Sequence, residues 1–417
     1  MTAQTNDLLL VEKLPNGLTV VGQRMPGIES VAMCFHVKTG SRHESAEVSG
    51  VSHFLEHMMF KGTATRSAID ISKEFEQMGA EFNAFTWVES TVYYARVLGD
   101  QVPKALAVLA DMMRPKLDEG EFTMEKGVII EEIARSEDQP THELIHDLFA
   151  TFFGDYPLGA SVLGTPDTIK NMTIGQMRDY YTNRYSPNNM ILGVAGAFDP
   201  DTLLKLVRER TADWTPQETA RSSEEFRPQP HTEVKVKSKL QQEHVAIACP
   251  RRPRATTKFG PASRLGARRS SGSRLFWEVT QKGLADSVDT DYYGFDGAGM
   301  FLTYFSASPE RAPEVLTIVR GEMEKLEREG VTVEELERAK VKAVSGTVIG
   351  GEASTRRMFE VTDLYISHGR AMSVDEIVAK IEAVTVEDVR RVLDAHPFSA
   401  SFTLQAAGPL AEAELLG

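Results

Sequence analysis

The stretch His53-Phe-Leu-Glu-His-Met-Met-Phe-Lys-Gly-Thr63 decides the reading of this chain. On a helix, residues i and i+4 lie one turn apart on the same face, so His53 and His57 aim two imidazoles at one point. Glu56 directly precedes His57 and reaches the rim of that point. Phe54, Leu55, Met58 and Met59 recur at three-to-four spacing and dock the same helix on a core. The metal-facing side is thus set beside a buried one, which gives ligands the rigidity that a catalytic site needs. Ser52, after the polar loop Gly40-Ser-Arg-His-Glu-Ser45, is read as the helix N-cap. Two His, a nearby carboxylate and a third ligand from another element make a catalytic zinc site. The plainer alternative is a pair of half-buried helical histidines.

Composition bounds the rest. At 417 residues the chain exceeds one ordinary core, and two domains are the natural expectation. Hydrophobic content of 41% and charged content of 25% are ordinary for a soluble globular protein. The net charge of −14 disfavours nucleic acid and anionic membrane surfaces as partners. Two cysteines, Cys34 and Cys249, exclude a disulfide framework or a thiolate zinc cluster. The N-terminus lacks a basic region followed by an apolar one, and no window approaches a membrane span, so a cytoplasmic location is expected.

Along the chain, residues 8–24 read as a hairpin around Pro15-Asn16-Gly17. A strand at 30–38, helices at 51–60 and 66–79, and strands near 81–87 and 91–98 follow. Helices are expected at 102–114, 118–137, 141–153, 174–184 and 199–209, with a buried strand at 190–196. The Pro-, Glu-, Ser- and Arg-rich stretch 213–231 is the best linker. Afterwards a similar order of strands and helices recurs. The expectation is therefore an α+β chain of two similar domains: 1–215 carrying the metal site, a linker at 216–231, and 232–417. One segment is anomalous. From Arg251 to Arg269 there are seven basic residues and no acidic one, inside an acidic chain. The shift is abrupt at both ends, and the anomalous segment 251–271 fits a local frameshift in the coding DNA better than a basic surface loop.

A catalytic zinc takes three protein ligands and keeps one position open. The third is sought in Glu125-Lys-Gly-Val-Ile-Ile-Glu-Glu132-Ile133. Between His57 and Glu132 there are 74 residues, and Glu125 lies two helical turns earlier than Glu132 on nearly the same face. Both can look into one cleft, although acidic residues also simply solvate helices. The order His-x-x-Glu-His inverts that of the commoner zinc proteases.

Several stretches together resemble the inverzincin peptidases of the M16 group, which includes pitrilysin, insulysin and the β subunit of the mitochondrial processing peptidase. They are Leu14-Pro-Asn-Gly17, the loop 40–45, the stretch 53–63, Asn83-Ala-Phe-Thr86, Tyr93-Tyr-Ala-Arg96, Glu125-x6-Glu132 and Pro157-Leu-Gly159 with Leu163-Gly164. The resemblance implies two antiparallel-rich α+β domains forming half of a clam-shell chamber. It implies one Zn2+ per chain on His53, His57 and Glu132, and it selects Glu132 over Glu131. Glu56 would activate a zinc-bound water, and Glu125 would be a second carboxylate in support. The strand 81–87 would receive peptide substrate at its edge, with Asn83 and Ala84 as contacts. Phe82, Phe85 and Trp87 are read as packing for at least one face. The implied activity is that of a zinc-dependent endopeptidase acting on extended peptides or unstructured segments. The alternative is a non-catalytic scaffold or processing-complex subunit of the same fold.

The chain departs from the resemblance in its second half. Many single-gene bacterial relatives carry an Arg and a Tyr there that contact substrate in a partner's cleft. In Ser273-Arg-Leu-Phe-Trp-Glu-Val-Thr280-Gln-Lys-Gly-Leu-Ala-Asp286, Thr280 stands at the Arg position and Asp286 at the Tyr position. A dimer is expected, and the departure favours a heterodimer with an Arg/Tyr-bearing subunit that lacks zinc ligands.

Overall fold

The computed structural model describes residues 8–219, 226–251, 273–398 and 402–417. The Asn16-Gly17 turn joins β1 (Leu9–Lys13) to β2 (Thr19–Arg24), with Gly17 at φ 89°. Next come β3 (Ser30–Val37), α1 (Val51–Met59) and α2 (Ala68–Gln77). The hairpin of β4 (Glu81–Thr86) and β5 (Thr91–Leu98) precedes α3 (Val102–Met112), α4 (Glu119–Glu137) and α5 (Pro140–Phe153). Then α6 (Pro166–Asn171), α7 (Ile174–Arg184), β6 (Met190–Gly196) and α8 (Pro200–Arg210) follow. After them come β7 (His231–Val236) and β8 (Glu243–Arg251), a π-helical turn at Phe276–Thr280, and the pair β9 (Ser287–Gly294) and β10 (Gly299–Ala307). The chain ends with α9 (Ala312–Glu329), α10 (Val333–Gly351), α11 (Ser354–His368), α12 (Val374–Glu382), α13 (Val386–Ala395), β11 (Thr403–Gly408) and α14 (Glu412–Leu416).

Among the described residues the strands form two sheets, in the orders β1-β2-β6-β3-β5-β4 and β7-β11-β8-β10-β9. The pairs β2–β6 and β7–β11 are parallel, and every other pairing is antiparallel. With β1 set aside, the two orders match strand for strand, in sequence order and in sense. The fold is thus α+β with a repeated domain plan.

Two compact units emerge. One is Met1–Ala134, Ala160–Ser222 and Thr347–Glu376; the other is Arg135–Gly159, Ser223–Gly346 and Ile377–Gly417. In the first unit, α11 lies on β6, β3 and β2. Its Arg357 is wholly buried and donates to Gln23 Oε1 at 2.6 Å and to the Met372 carbonyl. In the second unit, α5 lies on β11 and β8, burying Leu144, Leu148, Phe149, Phe152 and Phe153. Each sheet is thus covered by a helix from the opposite half of the sequence.

Residues 220–225 of the linker and 252–272 of the basic segment lie outside the described residues. Arg251, where the basic segment begins, ends β8 and is buried. Its guanidinium stands 4.6 Å from the Phe301 ring and 4.2 Å from that of Phe398. Nη1 donates to the His396 carbonyl, whereas Nε and Nη2 are buried with no hydrogen-bond partner among the described residues. Orphaned donors of this kind are costly.

Candidate metal centre

The site begins with the placement of α1. Gly50 precedes the helix at φ 91°, and a Cβ there would meet the Leu163 carbonyl oxygen at 2.6 Å. Left-handed backbone and close approach both demand glycine. At the start of the helix the Glu44 carboxylate accepts from Gly50 N and Ser52 N, each at 2.7 Å. The expected Ser52 cap is therefore corrected. Ser52 lies inside the first turn, with its hydroxyl 2.6 Å from the Tyr180 hydroxyl. A carboxylate satisfies two donors and suits the positive end of the helix, where a serine hydroxyl satisfies one. Burial pushes the Glu44 carboxyl up to about 7. On the far side of α1, the buried Phe54 ring stacks on Phe122 of α4 at 4.6 Å between centroids.

This packing of α1 against α4 brings three side chains to one point. His53 Nε2 lies 3.7 Å from Glu132 Oε1, and His57 Nε2 lies 3.5 Å from Glu132 Oε2. One donor atom from each of the three falls within 4.8 Å of the others. Donors bound to one ion at 2.0–2.2 Å in a tetrahedron stand roughly 3.3–3.6 Å apart. The spacing and the mixed imidazole–carboxylate set therefore fit a divalent metal. Burial, with His57 nearby, drives His53 down to about 3, so its ring is neutral and able to ligate at neutral pH.

Glu125, one of the two acids expected on α4, faces inward too. Its Oε1 is 2.9 Å from His57 Nδ1, and its Oε2 is 2.5 Å from Lys61 Nζ. Burial raises the Glu125 carboxyl, but Lys61 and His57 outweigh burial and hold it below the usual range. An ionised Glu125 accepts the Nδ1 proton and leaves the Nε2 lone pair of His57 aimed at the metal point.

Glu56 is buried, and its Oε2 accepts a hydrogen bond from Thr86 Oγ1 at 2.6 Å. Burial raises its carboxyl, against the opposing pull of Thr86 and His57. A carboxyl lifted in this way beside a metal point is suited to accept and return a proton.

Asn83 and Ala84 lie on β4, the edge strand of the first sheet. Asn83 is exposed, and its Oδ1 accepts the N–H of Ala84 at 2.8 Å. Phe82 stacks on Phe75 at 4.3 Å. Phe85 lies on the other face, 5.8 Å from Phe359 of α11, and is 41% exposed. Sequence reasoning missed Glu44, Lys61 and Thr86. Each acts through a contact with a site residue or its helix that no local periodicity announces.

Comparison with known proteins agrees with this layout. The model of insulinase, peptidase family M16, matches residues 19–166, and that of the peptidase M16 inactive domain matches residues 171–342. An uncharacterized zinc protease of Streptomyces coelicolor is 36% identical over 392 residues, spanning 91% of this chain and 85% of that protein. Another, of Mycobacterium tuberculosis, is 34% identical over 405 residues, spanning 95% and 92%. Among solved structures, a protease from Helicobacter pylori shares the fold with a TM-score of 0.87 at 23% identity, covering 96% of this chain and 99% of its own. A putative M16-like peptidase from Alicyclobacillus acidocaldarius does so with a TM-score of 0.84 at 21% identity, covering 96% and 97%. With two M16 family models matching most of the chain and relatives this similar along nearly its whole length, the chain belongs to peptidase family M16.

Proposed function

We propose that this chain is a zinc-dependent endopeptidase cutting extended peptides or unstructured protein segments. The observation that carries the reading is the meeting of His53 Nε2, His57 Nε2 and the Glu132 carboxylate at one point near the buried Glu56. The relatives named as zinc proteases support it. Zinc held by His53, His57 and Glu132 would supply Lewis acidity, polarising the scissile carbonyl and acidifying water. Glu56 takes the proton of the attacking water and delivers it to the leaving amine. Glu125 keeps His57 in the ligating tautomer. An extended peptide adds to the β4 edge through backbone hydrogen bonds, which give affinity with little sequence selectivity. Asn83 Oδ1 holds the Ala84 N–H in the manner of a placeholder that a substrate carbonyl displaces.

The test is zinc content and cleavage of a quenched-fluorescent peptide pool by wild type beside Glu56→Gln. One zinc per chain in both, with cleavage only by wild type, is expected. Wild type purified from zinc-supplemented medium without bound zinc would overturn the reading and favour a scaffold subunit.

Thr280 closes the π-helical turn, and Asp286 follows just before β9. Neither supplies the cation or the phenol that the resemblance leads one to expect. We therefore extend the proposal to a heterodimer with an Arg/Tyr-bearing subunit lacking zinc ligands. Tagged chain purified from its source cell is expected to bring that subunit down; a homodimer with full activity would refute it.

A further inference from the structure

We propose that Thr86 is a positioning residue for the Glu56 base, so that the strand offered to substrate also aims the group that moves its protons. The proposal rests on the peptidase reading. A threonine hydroxyl has one proton, and here it goes to Glu56 Oε2 at 2.6 Å. Such a short bond to a carboxylate is charge-assisted and directional. It fixes Oε2 and leaves Oε1 to receive the proton of the attacking water.

Thr86 is itself held. It is the last residue of β4, paired with Thr91 across the hairpin, and Thr91 Oγ1 donates to the Thr39 carbonyl at 2.9 Å. The turn between β4 and β5 closes with Trp87 N donating to the Ser90 carbonyl at 2.7 Å. That turn is tied to the preceding loop by Arg42 N donating to the Val88 carbonyl at 2.9 Å, and by an Arg42–Glu89 ion pair. The loop and the turn are so close that a Cβ on Gly40 would sit 1.9 Å from the Trp87 carbonyl oxygen. The β-branched side chain adds a stiff χ1 to this fixed backbone. A base carried on α1 is thereby oriented from a different element, the edge strand that receives the peptide.

The test compares Thr86→Val, which keeps shape and loses the hydroxyl, with Thr86→Ser, which keeps the hydroxyl. Crystal structures of the metal-free variants read the position of Glu56. Zinc content, kcat and KM of the loaded variants read the consequence. In Thr86→Val the Glu56 carboxylate is expected to leave its wild-type orientation, with zinc content unchanged, KM within about twofold and kcat down roughly 10–100-fold. Thr86→Ser is expected to restore the orientation and to recover kcat to within about fivefold. An unmoved Glu56 or an unchanged kcat in the valine variant would overturn the proposal, as would a serine variant that rescues neither. If wild type binds zinc but cleaves nothing by itself, the Arg/Tyr-bearing partner is required for turnover, and the crystal structures alone decide whether Thr86 holds Glu56.

Discussion

Glu125 Oε1 stands 2.9 Å from Nδ1 of His57, on the side of the ring opposite the atom that faces Glu132. The ring is gripped at one nitrogen and presented at the other. Replacing Glu125 by Gln removes the anion while keeping most of the shape. Zinc affinity is expected to fall about 10–100-fold, measured by competition with a chromogenic chelator. An unchanged affinity would show that the pair does not tune the ligand.

Glu131 and Glu132 are neighbours on α4, and only Glu132 joins the cluster with His53 and His57. Glu132→Ala is expected to abolish stoichiometric zinc, and Glu131→Ala to retain it. Metal analysis of the two dialysed variants checks this directly.

The carboxylate of Glu44, across the start of α1, sets a pH dependence. Its carboxyl is raised from 4.5 to about 7 in the folded chain. Between those values the native state keeps a proton that the unfolded chain has lost. The contribution to stability is full below about pH 4.5 and is lost as pH rises through 7. Glu44→Gln, which cannot titrate, is expected to remove that slope. From about pH 5 to 8, wild type should lose stability relative to the variant by on the order of 2–3 kcal/mol. Urea unfolding at several pH values measures the difference, and parallel curves would contradict it.

Phe54 is fully buried and stacked on Phe122, joining the two helices that carry the ligands. Phe54→Ala is expected to cost about 3–5 kcal/mol in denaturant unfolding. Zinc binding should weaken in parallel, because the cavity loosens α1 against α4.

The sequence carried the site better than it carried the packing. His53, Glu56 and His57 share one helix, so their convergence is a matter of local geometry, and Glu125 with Glu132 likewise. The hairpin at Asn16-Gly17 and the strand at 190–196 are equally local. The N-cap was misread because Glu44 reaches α1 across an irregular loop, and its two bonds to Gly50 and Ser52 leave no periodic trace. The Thr86–Glu56 bond spans 30 residues and depends on how β4 is hung beside α1. The coverings of the two sheets were invisible for a similar reason. Apolar faces on α5 and α11 show that each helix is buried, and they do not show against which sheet.

The destinations of those two helices bear on how the gene can be cut. A fragment ending in the linker would keep β2, β3 and β6 but lack Met358 and Val361 of α11, both of which are buried. A fragment beginning there would keep β8 and β11 without Leu148 and Phe152 of α5. Each would expose a broad apolar sheet face to water, the state that invites aggregation. The halves of this repeat have become obligate companions: neither is a portable module, and only the uninterrupted chain, or both fragments together, contains the parts needed to close either core.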